Sequence, residues 1–357
     1  MLKIGINGFG RIGRAIFKNT LEFKDVEILA INDINPELEN LGYLLKYDSY
    51  YGRLNKEIKI QNNKMVIGDK SIDVFQHNHI SKVPWKDIGC DIVIEASGVH
   101  SHLDELPKIL DSGIEKVIVT YSPDDKVDSY IVLGANEGEY DSQKHNIISS
   151  SICDVVALAP VYKIIQNKLS ISNGFLTTLH PWLAYQNLLD GPPQSWGYPG
   201  SLYGHYSLGR ASTASLILKP TTAITAADKI FSGINKKMKC HSYRIPTPVV
   251  GAADITFHTE RKTTKEDLLG MFIAEINNQK WPILHLNEDP LVSVDFTGTD
   301  YSAVIDTRWM EVINGDLIKI SLWYDNEYGY SRRVVDVARY LFHLTPKMHV
   351  HEQNSLS

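Results

Sequence analysis

Two side chains far apart in the sequence have the types and settings that chemistry needs. Cys153, in Ser149-Ser150-Ser151-Ile152-Cys153-Asp154, heads an apolar run from Ala157 to Ile165 that reads as a helix. A cysteine at a helix start meets free backbone N–H groups and the positive end of the helix dipole, and both lower a thiol pKa. That is the placement of a thiolate nucleophile. The competing reading for any single cysteine is a small buried core residue. His180 closes the strand-like run Thr177-Thr178-Leu179-His180, just before Pro181. An imidazole there is placed to take the thiol proton and then act as acid or base on an intermediate, the alternative being a plain strand-end cap.

What Cys153 and His180 would act with is written at the other end of the chain. A short strand, Lys3–Asn7, runs into Gly8-Phe9-Gly10-Arg11-Ile12-Gly13 and then into an amphipathic stretch, Ala15–Phe23. This is G-x-G-x-x-G in its required context of strand, turn and helix. Gly8 permits the tight turn, Gly10 lets a pyrophosphate approach the backbone, and Gly13 lets helix and strand pack closely. The phosphates then meet the helix N-terminus, with Arg11 and Ile12 in the turn beneath them. The next strand, Val26–Asn32, ends at Asp33, about 20 residues beyond the glycines, where an acidic side chain accepts from the adenine ribose hydroxyls. A carboxylate there repels a 2′-phosphate, so the cofactor reads as NAD rather than NADP. A cap for a helix over Pro36–Lys46 is the other reading of Asp33.

Further buried strands are expected at Asp91–Glu95, Lys116–Thr120 and Tyr130–Leu133, with a hairpin at Ile58–Ile67 and a helix over His102–Leu110 that Pro107 weakens. The small turn Ala96-Ser97-Gly98 and the strand-end Thr120 are suited to lie against the cofactor. The fold is an α/β Rossmann-type doubly wound NAD-binding domain over 1–152, followed by an α+β catalytic domain over 153–330 with a mostly antiparallel sheet. The strand-like runs of the second part include Ile171–His180, Ser242–Val250, Ala253–Glu260, Val292–Phe296 and Leu317–Tyr324. A C-terminal amphipathic helix over 331–345 precedes a polar tail, 346–357. Between His180 and Arg210 lies a long Gly-, Pro- and Tyr-rich loop, the kind that is functional or sits at an interface.

Composition narrows the class. The chain has 357 residues and a formal net charge of −6, which argues against a nucleic-acid footprint. Cys90, Cys153 and Cys240 lie far apart, so neither a disulfide framework nor a metal-site spacing is present, and no metal is expected. No apolar run is long enough to span a bilayer. A cytoplasmic protein without membrane association is expected. A dinucleotide site with a Cys/His pair points to aldehyde oxidation: the cysteine adds to the carbonyl, hydride leaves to the nicotinamide, and a nucleophile resolves the thioester.

From Lys3 to about Leu344 the chain resembles the glyceraldehyde-3-phosphate dehydrogenase family. The carrying stretches are Ile6–Arg14, Lys46-Tyr47-Asp48-Ser49, Leu158-Ala159-Pro160, Arg244-Ile245-Pro246-Thr247 and Trp323–Ser331. The resemblance implies NAD, a homotetramer, and a last helix packed back on the nucleotide domain. It implies Cys153 as nucleophile, His180 as base, Asn326 holding the nicotinamide carboxamide and Tyr330 beside the ring. Pro192–Tyr206 matches the family's interface loop.

The departures cluster around anion binding. The family usually has serine before and threonine after the nucleophile, where this chain has Ile152 and Asp154, and a carboxylate beside the nucleophile opposes phosphate on charge grounds and tends to raise the thiol pKa. Leu183 and Tyr185 stand where a threonine and an aspartate are common, and Thr221-Thr222-Ala223 replaces a threonine-glycine clamp. Arg244 remains, with Arg210 as a candidate second cation and Asp154 as part of the substrate site. The reading is an NAD-dependent dehydrogenase for a small anionic aldehyde with non-glycolytic specificity. The alternatives are the ordinary phosphorylating dehydrogenase and a catalytically silent NAD-binding paralogue.

Overall fold

The computed structural model describes residues 1–344, and the tail expected over 346–357 lies outside them. The N-terminal part builds a nine-stranded sheet. In spatial order its strands are Ser129–Tyr130, Ile147–Ser149, Lys116–Val119, Ile92–Glu95, Leu2–Asn7, Val26–Asn32, Lys70–Phe75, Lys64–Ile67 and Ile58–Gln61. All pairings are parallel up to Lys70–Phe75, where the antiparallel hairpin begins. Parallel strands covered on both faces need apolar side chains throughout, and Ile4, Ile6, Ile92, Val93, Ile94, Val117 and Ile118 are all buried. Chain progression reverses between Leu2–Asn7 and Ile92–Glu95, and the crevice at the carboxyl ends of these two strands is where such sheets bind ligands.

The glycine loop occupies that crevice. Gly8 has φ +89°, in the left-handed region, and a Cβ there would lie 2.5 Å from the Ser97 backbone. A Cβ on Gly13 would lie 2.0 Å from the Gly8 carbonyl oxygen. Gly13→Ala must therefore push the first helix, Arg11–Thr20, off the strand. The expected cost is about 1–3 kcal/mol of stability together with loss of measurable NAD binding, checked by thermal melts with and without NAD. Retained NAD affinity would show that the loop tolerates the shift.

The second sheet runs Ile217–Lys219, Met238–Ile245, Ile171–Pro181, Gly251–Thr259, Leu317–Tyr324, Ala303–Asp306, Leu284–Asn287. Glu311–Ile313 adds to Leu317–Tyr324. Two pairings are parallel, Ile171–Pro181 with Met238–Ile245 and Leu284–Asn287 with Ala303–Asp306, and the rest are antiparallel. Alternation along Ile171–Pro181 decides where its histidine points. Leu176, Thr178 and His180 face inward and are buried, while Phe175 and Leu179 face out and are exposed.

The helix Cys153–Leu169 packs on Ile171–Pro181, Gly251–Thr259 and Ala303–Asp306 of the second sheet, with Val155, Val156, Ala157, Leu158, Ala159 and Val161 all buried. A helix apolar on every side belongs in a core. The final helix, Tyr328–Leu344, packs on Arg11–Thr20. Arg332 pairs with Glu22 at 2.5 Å and Arg339 with Asp25 at 3.0 Å.

Three expected elements differ. Val292–Phe296 is a 3₁₀ turn at Ser293–Phe296, because the Asp295 carboxylate accepts from Val292 N at 2.8 Å and curls the chain. Tyr130–Leu133 shrinks to the short strand Ser129–Tyr130, since the Asn136 side chain takes both Val132 N–H and Tyr130 C=O. The helix over His102–Leu110 divides into a 3₁₀ stretch, His100–Glu105, and an α-helix, Leu106–Asp111, with Pro107 in its first turn. A proline that cannot donate is tolerated there and not in a helix interior.

Candidate active site

Cys153 is the first residue of its helix, after an extended Ile152 and a left-handed Ser151 with φ +62°. Tyr330 pins this bend. Its hydroxyl lies 2.9 Å from Ser150 Oγ and donates to the Ser151 carbonyl at 3.0 Å. The Cys153 sulfur is 3.5 Å from His180 Nε2. His180 Nδ1 is 2.8 Å from the Pro181 carbonyl, which accepts its proton and leaves Nε2 facing the sulfur as the basic nitrogen. The two side chains that the sequence singles out thus come together.

Asp154 is drawn into the same site. Its Oδ1 lies 3.7 Å from Cys153 Sγ and 4.0 Å from His180 Nε2, and accepts from the Tyr324 hydroxyl at 2.7 Å. Of the two opposed influences on the thiol pKa, the helix start and the adjacent carboxylate, the carboxylate's direction prevails. Burial, and next the Asp154 carboxylate, push the Cys153 thiol well above its ordinary value, although Arg244 and the Asp154 N–H oppose them. Burial, and next Arg244, bring His180 down to about 4. At neutral pH the pair is therefore thiol and imidazole, and a proton moves only as the substrate reacts.

His180 also has a stability consequence. A depressed folded-state pKa means that the unfolded chain binds the proton first as pH falls. The stability from the neutral buried imidazole is complete above about 6.5 and is lost progressively towards about 4, up to about 3 kcal/mol. His180→Asn is expected to flatten the melting temperature against pH across that window. An unchanged acid slope would exclude His180 as the titrating group.

The nucleotide side fits NAD. The helix Arg11–Thr20 begins at Gly10 with no side-chain cap and no acidic residue in its first turn, so its first N–H groups remain for an anion. A Cβ on Gly10 would meet nothing within 4 Å, leaving room for a pyrophosphate. Asp33 is no helix cap, because the following helix is Leu38–Lys46 with Glu37 at its cap position. Its carboxylate instead accepts from Phe9 N at 2.6 Å and Asn35 N at 2.9 Å, which holds it beside the glycine loop. Ser97 and Gly98 line the crevice, and Thr120 closes it by bonding its N–H and hydroxyl to the Glu95 carbonyl. Ile12 packs on the core. The Arg11 guanidinium is engaged by Glu327 and Asp48 at 2.5 and 3.0 Å, so it ties the glycine loop to the Trp323–Ser331 segment and leaves only its backbone N–H for the cofactor. Asn326 is buried and its Oδ1 accepts from Val250 N at 3.1 Å, which directs its NH₂ elsewhere. Val250 is held at φ +66°, costly for a β-branched residue and a mark of a constrained site.

Arg244 stands beside His180 on the parallel neighbouring strand, buried, with its Nε unpartnered. Arg210 does not join it. That side chain is exposed and paired with Asp190 at 2.9 Å. The cation that does lie near is Lys219, on the short strand Ile217–Lys219 that pairs with Arg244's strand. Burial and then Arg244 bring its amine down to about 8. The sequence offered little signal for it, a single lysine before Pro220 on a three-residue edge strand. The aromatic loop docks on its own chain's nucleotide-binding part. Trp196 Nε1 donates to the Ser97 carbonyl at 2.7 Å, and Tyr198 packs on His100, which stacks on Tyr121.

Residues 2–103 match the family model described as glyceraldehyde 3-phosphate dehydrogenase, NAD binding domain, and residues 151–326 match the C-terminal domain of the same family. Among curated proteins, the chain is 36% identical to glyceraldehyde-3-phosphate dehydrogenase of Geobacillus stearothermophilus, covering 95% of this chain and 98% of that one. It is 35% identical to glyceraldehyde-3-phosphate dehydrogenase 1 of Bacillus cereus, over 96% and 98%. It is 36% identical to the enzyme of that name from Atriplex nummularia, over 97% and 94%. The glycine crevice, the Cys153–His180 pair and similarity along nearly the whole chain agree, and this protein belongs to the glyceraldehyde-3-phosphate dehydrogenase family.

Proposed function

We propose that this NAD-dependent oxidoreductase oxidises a small anionic aldehyde through Cys153, and that water rather than inorganic phosphate resolves the acyl-enzyme. The observation that carries the reading is the buried Asp154 carboxylate 3.7 Å from the reactive sulfur. A carboxylate there repels a phosphate nucleophile, while it is able to take a proton from water.

His180 Nε2 takes the thiol proton as sulfur attacks the carbonyl carbon and returns it to the carbonyl oxygen, giving a neutral thiohemiacetal on Cys153 and a free imidazole nitrogen. Arg244, with Lys219 beside it, holds the substrate's anionic group. NAD, when bound, would supply the hydride acceptor, and the N–H groups that follow Gly10 would hold its pyrophosphate, Asp33 its ribose and Asn326 its carboxamide. His180 takes the hydroxyl proton of the thiohemiacetal as the thioester forms. Asp154 then deprotonates water, the hydroxide adds to the thioester carbon, and the Cys153–carbon bond breaks to release the acid and the thiolate. The assembly proposed is the homotetramer of the family, supported by the exposed Leu188, Leu189, Leu202 and Tyr206 around the aromatic loop.

The test is NADH formation from glyceraldehyde 3-phosphate with and without inorganic phosphate. Turnover that does not depend on phosphate is expected. Turnover that requires phosphate would overturn the reading and restore the phosphorylating reaction.

A further inference from the structure

Asp154 has a second consequence that does not depend on the substrate. We propose that Cys153, Asp154 and His180 form a chelating site for a borderline-soft divalent cation of the zinc class, which silences the dehydrogenase reversibly by occupying its nucleophile and base.

Their donor atoms all lie within 4.8 Å of one another, the only such grouping of three His, Cys, Asp or Glu side chains among the described residues. The separations are 3.5 Å from Sγ to Nε2, 3.7 Å from Sγ to Oδ1 and 4.0 Å from Nε2 to Oδ1. With zinc bonds of about 2.3 Å to sulfur and about 2.0 Å to nitrogen and oxygen, one face of a tetrahedron has edges of ~3.5, ~3.5 and ~3.3 Å. The first two edges are nearly met as they stand. The third needs a small rotation of the Asp154 carboxylate.

The surroundings hold the donors as a metal site requires. The Pro181 carbonyl binds His180 Nδ1, so the Nε2 lone pair is the one on offer. The Tyr324 hydroxyl fixes Asp154 and leaves its carboxylate further lone pairs. Thiolate and carboxylate together neutralise a divalent ion. A cysteine and a histidine alone would give two ligands, and the neighbouring carboxylate makes the set three. Arg244 and Lys219 oppose a cation, and they favour an anion, hydroxide or a carboxylate, in the open fourth position. Cys90 and Cys240 belong to no such grouping. Cys90 is buried beside Trp85, and Cys240 is placed against the Thr221 carbonyl.

Cobalt(II) alone, titrated into the full-length protein without substrate, tests this. One equivalent per chain is expected to bind with a thiolate-to-cobalt charge-transfer band and tetrahedral visible absorption. Cys153→Ala should abolish the band, and Asp154→Asn and His180→Asn should each weaken binding at least ~10-fold, with NAD binding confirming that the variants are folded. Zinc should displace the cobalt and block iodoacetamide labelling of Cys153. Absence of the band, its survival in Cys153→Ala, or wild-type affinity in either other variant overturns the site. None of these readouts involves aldehyde turnover, so failure here leaves the dehydrogenase reading intact, and the reverse holds too.

Discussion

Cys153→Ser is expected to lower the rate of NADH formation from any true substrate by at least ~10³-fold, with NAD affinity unchanged. Every chemical step proposed runs through the sulfur. A serine hydroxyl in the same place has a far higher pKa, and the nearby Asp154 carboxylate raises the cost of any anion there further. The polar neighbours of the sulfur are Asp154 and His180, and serine keeps its place against the edge of the core with a smaller atom. Isothermal titration with NAD and a steady-state assay separate the two effects. A variant that still turns over within tenfold of wild type would remove Cys153 from the mechanism. Equal loss of NAD binding would show instead that the bend at Ser151 had collapsed.

Asp154→Asn carries the second large effect, and its two halves point in opposite directions. Removing the charge lifts one of the two main causes of the raised Cys153 pKa, so iodoacetamide should label Cys153 faster at neutral pH. An amide cannot accept the proton of the attacking water, so hydrolysis of the thioester should slow ~10²–10⁴-fold. Stopped-flow NADH formation should then show a burst of one equivalent per site followed by a slow steady state. A variant that keeps its steady-state rate would show that Asp154 takes no proton from water. The amide is nearly isosteric and Tyr324 retains an acceptor for its hydroxyl, which makes this the cleaner probe of charge than alanine.

Much of the scaffold can be read in the sequence because its signals are local. The apolar runs at 92–94 and 117–119 are parallel strands buried on both faces, and the glycine spacing fixes the first turn. His180 is legible too, since its parity with Leu176 and Thr178 places it on the inner face. What escaped the sequence depends on the third dimension. Asp154 is sequentially beside Cys153, yet its carboxylate's approach to His180 follows from the first turn of the helix meeting a strand end. Lys219 enters the site only because a three-residue edge strand pairs with the strand of Arg244. Arg210, chosen as a second cation by type alone, is spent on Asp190 at the surface. The Cys153 shift has two opposed causes legible in the sequence, the helix start that lowers it and the adjacent Asp154 that raises it, and burial, which is not legible there, adds to the second.

The ion pair between Arg11 and Glu327 spans 316 residues, and the helix Tyr328–Leu344 that follows covers the first helix of the chain. On the ribosome Arg11 and the apolar face of its helix emerge uncovered, and Glu327 is synthesised 316 residues later. The surroundings of the glycine crevice are thus complete only once Glu327 and the helix after it have been made. Until residues 327–344 have emerged, the apolar face of the first helix is exposed to chaperones and proteases.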